Sequence, residues 1–301
     1  MATLTTYDTV GKKEDVSDII SNISPSKTPF ISITGKETVH NWAFDWQEDS
    51  LRSSAANAQV EGFTASPTTR TQPTMKENVT QIFQDTFEVT GTTDSVSHYG
   101  RGKETAYQAE KAARALKLDL EHAYVGTGQA KVKPSDNTTA RQMAGVQAQI
   151  DASMIVHTGG SGIAPTEANL LAAIGNAYKA GAEPTVLMVT PDDSLLVADF
   201  AKASGRTRNI NNGSGDRKIV NAVDLYVSPF GEQKVVLNRE LKLSDLLVLD
   251  PSMWVKVVLK GRDWFTKQLA ITGDKTSQMM VGEFSLKNKN SKGSAMVSRI
   301  A

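Results

Sequence analysis

The sequence predicts an α+β protein that carries more extended chain than a lone globule can use. Three features point to it. A helical stripe runs through 97–125, a series of short β runs fills 245–301, and a proline-bearing arm with a long polar hairpin precedes both.

Residues 1–35 read as an arm. Apolar residues are sparse, a short helix fits Asp15–Ile20, and Pro25 and Pro29 hold the following stretch extended. So little apolar surface cannot bury itself, so the arm must lie on something else. Residues 36–93 alternate. Trp42, Phe44 and Trp46 share one side of a strand, and Val79, Phe83, Phe87 and Val89 share one parity of a second. Between them, Ser50–Thr74 is rich in Ser, Ala, Thr and Gln and is broken by Pro67 and Pro73. The pattern predicts a long β-hairpin with an extended tip, a connection that a compact domain has no use for unless it reaches another molecule.

The block at 94–163 holds the helix. Ala106, Ala109, Ala113, Leu116, Leu120 and Ala123 recur at steps of three and four, Glu110 precedes Arg114 by four, and Gly126 and Gly128 supply the stop. Residues 164–243 form the body of an α/β unit that runs on to 250. Pro165 opens a helix with Leu170, Leu171, Ile174, Ala177 and Tyr178 on one face, and Gly181 stands where a C′ glycine belongs. Val186–Val189 reads as a buried strand, and Thr190 caps a helix that begins at Pro191, with Asp192 and Asp193 at its positive end. A loop rich in Gly, Asn and Ser then carries Arg206, Arg208, Arg217 and Lys218, and a hairpin turns at Pro229-Phe230-Gly231. Within 244–301, runs at 246–249, 254–259, 264–271, 279–284 and 294–300 predict an antiparallel sheet on which the long helix lies.

Composition excludes several classes. The 301 residues contain no Cys, which removes disulfides, thiolate metal sites and Cys nucleophiles together. No apolar run approaches the roughly 18 residues of a spanning helix, and the polar start lacks a signal core, so the expectation is a cytoplasmic protein with no membrane partner. Charge balances at 33 basic against 33 acidic residues, yet 36–93 carries −4 and 251–301 carries +6. Opposite blocks of this kind suit head-to-tail self-association, or else are simply two solvated faces. No dense basic stripe interleaved with aromatics is present.

Catalytic patterns are missing. His40, His98, His122 and His157 form no metal-ligand spacing. Gly126-x-Gly128-x-x-Lys131 follows a helix instead of opening one, so it is a stop and not a phosphate loop. Gly159-Gly160-Ser161-Gly162 lacks nucleophile-elbow spacing. The residues therefore predict no enzyme, no cofactor and no metal.

The order of elements resembles that of major capsid proteins of tailed bacteriophages with the Hong Kong 97 fold: N-arm (1–35), extended loop (36–93), spine helix within a first peripheral part (94–163), axial domain (164–243) and second peripheral part (244–301). Thr6-Tyr7-Asp8-Thr9-Val10-Gly11, Glu14–Ile20, Thr28-Pro29-Phe30, Trp46–Leu51 and the Gly102-Lys103-Glu104-x-Ala106-Tyr107-Gln108 entry to the helix are similar to one subfamily. The resemblance implies a structural protein, found in the virion and assembled in host cytoplasm. Its copies build hexamers and pentamers that tile an icosahedral or prolate shell around double-stranded DNA. By the same analogy Trp42, Phe44, Trp46, Phe83 and Phe87 pack the extended loop on a neighbour. Arg206, Arg208, Arg217 and Lys218 lie near a capsomer centre, and Lys287, Lys289, Lys292 and Arg299 meet a neighbour's acids or the genome. A scaffolding protein (the arm begins near Thr6), a portal protein and a decoration protein are the implied partners. Two other readings stay open at this point, an encapsulin-like compartment shell and a cytosolic α/β enzyme.

Overall fold

A computed structural model describes residues 27–52, 54–68, 70–160, 162–203, 225–242 and 245–299. Two compact units are distinguished. The smaller comprises Gln84–Leu116 and Thr266–Met280, and the larger takes in the remaining described residues.

The larger unit opens with α1 (Pro29–Ile33) and β1 (Gly35–Val39), followed by the hairpin strands β2 (Ala43–Glu48) and β3 (Thr74–Val79). These two pair antiparallel from Ala43↔Val79 to Glu48↔Thr74, and 49–73 connect them. The hairpin is narrower than 36–93. β1 instead pairs in parallel with β10 (Trp254–Leu259), and β4 (Gln81–Thr90) pairs with β12 (Lys275–Asn288). The change of partner strand falls at 79–81. Fully buried Asn78 bonds Leu286 O at 2.7 Å and accepts from Ala144 N–H at 2.9 Å, while Thr80 Oγ1 donates to Glu283 at 2.6 Å. The hairpin ladder runs up to this point, with Thr80 N–H donating to Trp42 O at 2.8 Å, and these side-chain bonds tie its end to the 141–144 and 283–286 segments.

In the smaller unit β4 leads into the short helix α2 (Gly91–Ser95) and then α3 (Glu104–Glu121). Asp94 accepts from the Thr105 N–H and hydroxyl, both at 3.0 Å, which holds its carboxyl below the usual range and fixes the start of α3. Glu88 takes Lys275 at 2.6 Å and Ser277 at 2.9 Å. α3 is shorter than the helical stripe read over 97–125 and ends in a π turn at His122–Gly126. Its buried stripe is also rotated. Ala112, Leu116 and Leu120 are buried, whereas Ala106 is exposed, because the i, i+4 row from Glu104 rather than the row from Ala106 faces inward. The Glu110–Arg114 ion pair forms as expected.

The remaining elements are α4 (Val146–Gln149), β5 (Ile155–His157), α5 (Glu167–Lys179), β6 (Val186–Val189), α6 (Pro191–Ala203), β7 (Leu225–Ser228), β8 (Gly231–Leu237), β9 (Asp245–Leu249), β11 (Phe265–Gln268) and β13 (Ala295–Ser298). Thr166 caps α5 and Thr190 caps α6, accepting from Asn169 N–H and Asp193 N–H. Gly181 supplies the left-handed backbone (φ +88°) that ends α5. Tyr178 leaves the predicted buried face and is exposed, tilted against Phe230 at 5.6 Å.

The predicted single C-terminal sheet does not form. The order β5-β13-β9-β6-β8-β7 seats β9 between β13 and β6, so strands from both sides of 243/244 share one sheet. β9 pairs antiparallel with both β6 and β13, and all four residues of β6 and of β13 are buried. A strand so apolar on both faces belongs in the middle of a covered sheet. β10 and β12 enter a second sheet, β1-β10-β12-β11. Trp264 and Phe284 pack there as a tilted pair with ring centroids 4.5 Å apart, and the bare Cα of Gly282 leaves them room.

Candidate assembly interface

The connection 49–73 has neither helix nor strand among its described residues. Leu51 is 96% exposed, Val60 77% and Phe63 56%. Val60–Phe63 is a turn in which Phe63 N–H donates to Val60 O at 3.2 Å, and Gly62 takes the positive φ it needs. Burying each of these three side chains is worth about 1.5–3 kcal/mol, and this fold of the chain forgoes it. Exposed apolar side chains on a segment without helix or strand make it the candidate for contact with another molecule.

At the hairpin base the aromatic stripe is half-buried. Phe44 and Trp46 stack at 5.8 Å, while Arg141 and Lys133 cover the Trp42 ring at 5.4 and 5.9 Å. Phe83 differs, and that expectation is corrected. It is buried against Trp264 and Phe284 of its own chain, with 8% of its surface exposed, so little of the ring is left for a neighbour. Phe87 is half-buried and lines a cleft of about 240 Å³ with Val89, Thr93, Glu104 and Gln108.

Part of the opposite charge of the two blocks is paired within the chain instead of between copies. Lys287 pairs with Glu37 at 3.0 Å, Lys275 with Glu88 at 2.6 Å, and Lys36 with Asp263 at 2.6 Å. Arg299 pairs with Asp193. Lys287 and Arg299 are thus engaged internally and do not stand ready for a neighbour. Lys289 and Lys292 are exposed, with Lys289 Nζ donating to Ser252 O at 3.2 Å. Arg206, Arg208, Arg217 and Lys218, like the helix expected at Asp15–Ile20, lie outside the described residues.

One anchor escaped the sequence reading. Glu121 is fully buried at the end of α3. Its carboxylate accepts from Phe30 N–H at 2.7 Å, Ile31 N–H at 2.9 Å and the Asn238 amide at 2.7 Å. Burial pushes this carboxyl up, against the downward pull of the three bonds. Beside it Phe30, with no exposed surface, meets Tyr124 and Trp254 edge to face. The segment that leads out of the N-terminal region is therefore tied to the body at 30 and 31. Only the Thr-Pro-Phe string and a glutamate inside a helical stripe signalled this, and neither names its partner.

Among the described residues no group of His, Asp and Glu is placed to hold a metal, and no helix is long and apolar enough to cross a membrane. Glu283, the most enclosed acid of the hairpin region, is satisfied by Thr80, Arg141 and Arg262.

The sequence profile of the SU10 major capsid protein family matches residues 3–301. A major capsid protein of Escherichia phage Phieco32 is 27% identical over 332 aligned positions, covering 94% of this chain and 93% of that one. The solved capsid of cyanophage A-1(L) superposes with a TM-score of 0.67 at 11% identity over 98% of both chains. The SrpI encapsulin of Synechococcus elongatus PCC 7942 superposes at 0.63 and 10% identity, over 97% of this chain and 93% of that one. At such identities the structural likeness is one of fold alone.

Proposed function

The chain belongs to the SU10 major capsid protein family, and from that premise we propose that its copies form hexamers and pentamers that tile a phage head shell around double-stranded DNA. Its fold is the Hong Kong 97-type capsid fold. That fold also serves encapsulins, so fold does not choose between a phage head and a protein compartment. The family match and the phage relative favour the head.

The observation that carries the reading is the connection 49–73, whose Leu51, Val60 and Phe63 stand exposed among the described residues. Ordering such a segment costs about 1–2 kcal/mol per residue, which burial on an adjacent subunit offsets. In this reading the loop and the half-exposed faces of Trp42, Phe44 and Trp46 lie on a neighbour. Lys289 and Lys292 meet a neighbour's acids or the genome, and Arg206, Arg208, Arg217 and Lys218 sit near the capsomer centre. A scaffolding protein, a portal protein and a decoration protein complete the head, which is assembled in host cytoplasm. The virion is the protein's final location.

Deleting 52–72 tests this. β2 and β3 keep their register, so the variant is expected to stay folded and soluble, and electron microscopy is expected to find no shells. Normal shells from the deleted chain would overturn the assignment.

A further inference from the structure

The hairpin strands β2 and β3 form a two-stranded sheet of their own, and such a pair is marginal without support. Near its base the support is plain. Asn78, opposite Phe44, bonds Leu286 O at 2.7 Å, and Glu77 on the next rung pairs with Lys131 and Lys133. At the far end, where Glu48 faces Thr74, a single carboxylate does the same. Glu48 accepts from the Ser291 N–H at 2.9 Å and from the Ser291 hydroxyl at 2.8 Å, across 243 positions of sequence. Its side chain is 15% exposed, with Lys76 3.8 Å away on the partner strand. Ser291 is itself held, buried in the turn between β12 and β13. Its carbonyl accepts from Asp151 N–H at 3.0 Å, and Lys289 N–H donates to Met253 O at 2.9 Å.

Glu48 lies four residues beyond Phe44, about 13 Å along the strand, and the connection 49–73 starts at its rung. Among the described residues, no other hydrogen bond joins 45–48 or 74–76 to the body. Without the Glu48 bonds this end rests on the half-buried face of Trp46, whose enclosed indole N–H finds no acceptor. The strand pair is then free to pivot about its base, and 49–73 leaves in many directions. The carboxylate selects one of them. A segment that must reach a defined place on another copy binds better when its departure is fixed beforehand, because less freedom is lost on contact. We propose that Glu48 is a positioning residue for assembly, clasping the root of the projecting connection to the turn at Ser291 and setting the direction in which it leaves. The clasp stands on its own bonds, and its consequence for shells rests on the reading that 49–73 lies on a neighbour. Reach decides its action, not charge. Glu48→Gln keeps the length, its carbonyl accepting from the Ser291 N–H and its amide donating to the hydroxyl oxygen. Glu48→Asp keeps the charge and is one methylene too short to hold both bonds.

The test uses the full-length protein, first unassembled and then under assembly conditions. The chain has no Cys, so Gln47→Cys and Lys179→Cys, both at exposed positions, take spin labels that report the distance from the hairpin root to α5. In the unassembled protein Glu48→Ala and Glu48→Asp are expected to broaden that distance distribution and to speed amide exchange at Ser291 several-fold, while Glu48→Gln leaves both near the parent. Under assembly conditions, closed shells counted by electron microscopy are expected to fall several-fold for alanine and aspartate and to persist for glutamine. A carboxylate that only stabilised the fold would make shell yield follow Tm across the variants instead of label distance. A narrow distribution in Glu48→Ala, or Glu48→Gln as defective as Glu48→Asp, overturns the clasp. A broadened root with undiminished shells refutes its part in assembly and leaves the reading of 49–73 standing. Normal shells from the 52–72 deletion refute that reading instead, and the label distances still judge the clasp.

Discussion

Phe30 is the side chain on which the position of the N-terminal segment turns, so its truncation is the most informative perturbation of the body. The ring has no exposed surface and meets Tyr124 at 5.7 Å and Trp254 at 6.0 Å, at interplanar angles of 63° and 69°. Replacing a buried phenylalanine by alanine costs about 3–5 kcal/mol in lost transfer energy and residual cavity. Leucine restores most of the volume and forfeits the two edge contacts, each worth about 0.5–1.5 kcal/mol beyond burial, so Phe30→Leu is expected to lose about 1–3 kcal/mol. Against a total near 5–15 kcal/mol, alanine removes a large share and leucine a modest one. Urea unfolding of the unassembled subunit measures both. Hydrogen exchange at Ile31, whose N–H donates to buried Glu121 at 2.9 Å, reports whether the anchor itself has opened. Phe30→Ala should lose protection at Ile31 and yield fewer intact shells. A loss below about 1 kcal/mol, or full protection at Ile31 in the alanine variant, would refute the idea that this ring fixes where the arm departs.

Glu283→Gln leaves Arg141 and Arg262 without their shared carboxylate and weakens the bond from Thr80. Both guanidinium groups keep some contact with water, so the expected loss is about 2 kcal/mol by chemical denaturation, well below that of a fully buried pair. Hydrogen bonds from Lys131 and then Lys133 hold the Glu77 carboxyl below its ordinary 4.5. A lowered folded value means that this contribution is present above pH 4.5 and is lost as the pH falls through the folded value. Tm measured across that range should therefore drop less steeply in a Lys131→Met, Lys133→Met double variant than in the parent. An identical acid-side slope in the two proteins would show that the pair contributes nothing.

Local patterns were legible in the amino-acid order wherever a periodic signal and a stop coincided. Thr190-Pro191 opening α6, Gly181 ending α5 and the fully buried Val186–Val189 all follow from capping, backbone freedom and apolar runs. The long hairpin with its unstructured connection is equally local, since alternation and prolines lie within one stretch of chain. The site was less legible for the opposite reason. Phe83 and Phe44 look alike in an alternating pattern, yet one is enclosed by Trp264 and Phe284 and the other is not. Lys287 and Arg299 read as free cations until Glu37 and Asp193, some 250 and 106 residues away, arrive beside them.

The sequence by itself determined the kinds of elements, their order and the existence of surplus reach, because helix periodicity, strand alternation and turn chemistry act over a few neighbouring residues. The tertiary structure alone decided that β9 and β13 join β6 while β10 and β12 join β1. It alone brought Glu121 to the amides of Phe30 and Ile31, and Glu48 to Ser291. Strand partnership, buried polar bonds and charge pairing depend on which distant segments share a low-dielectric interior, and no local pattern encodes that proximity.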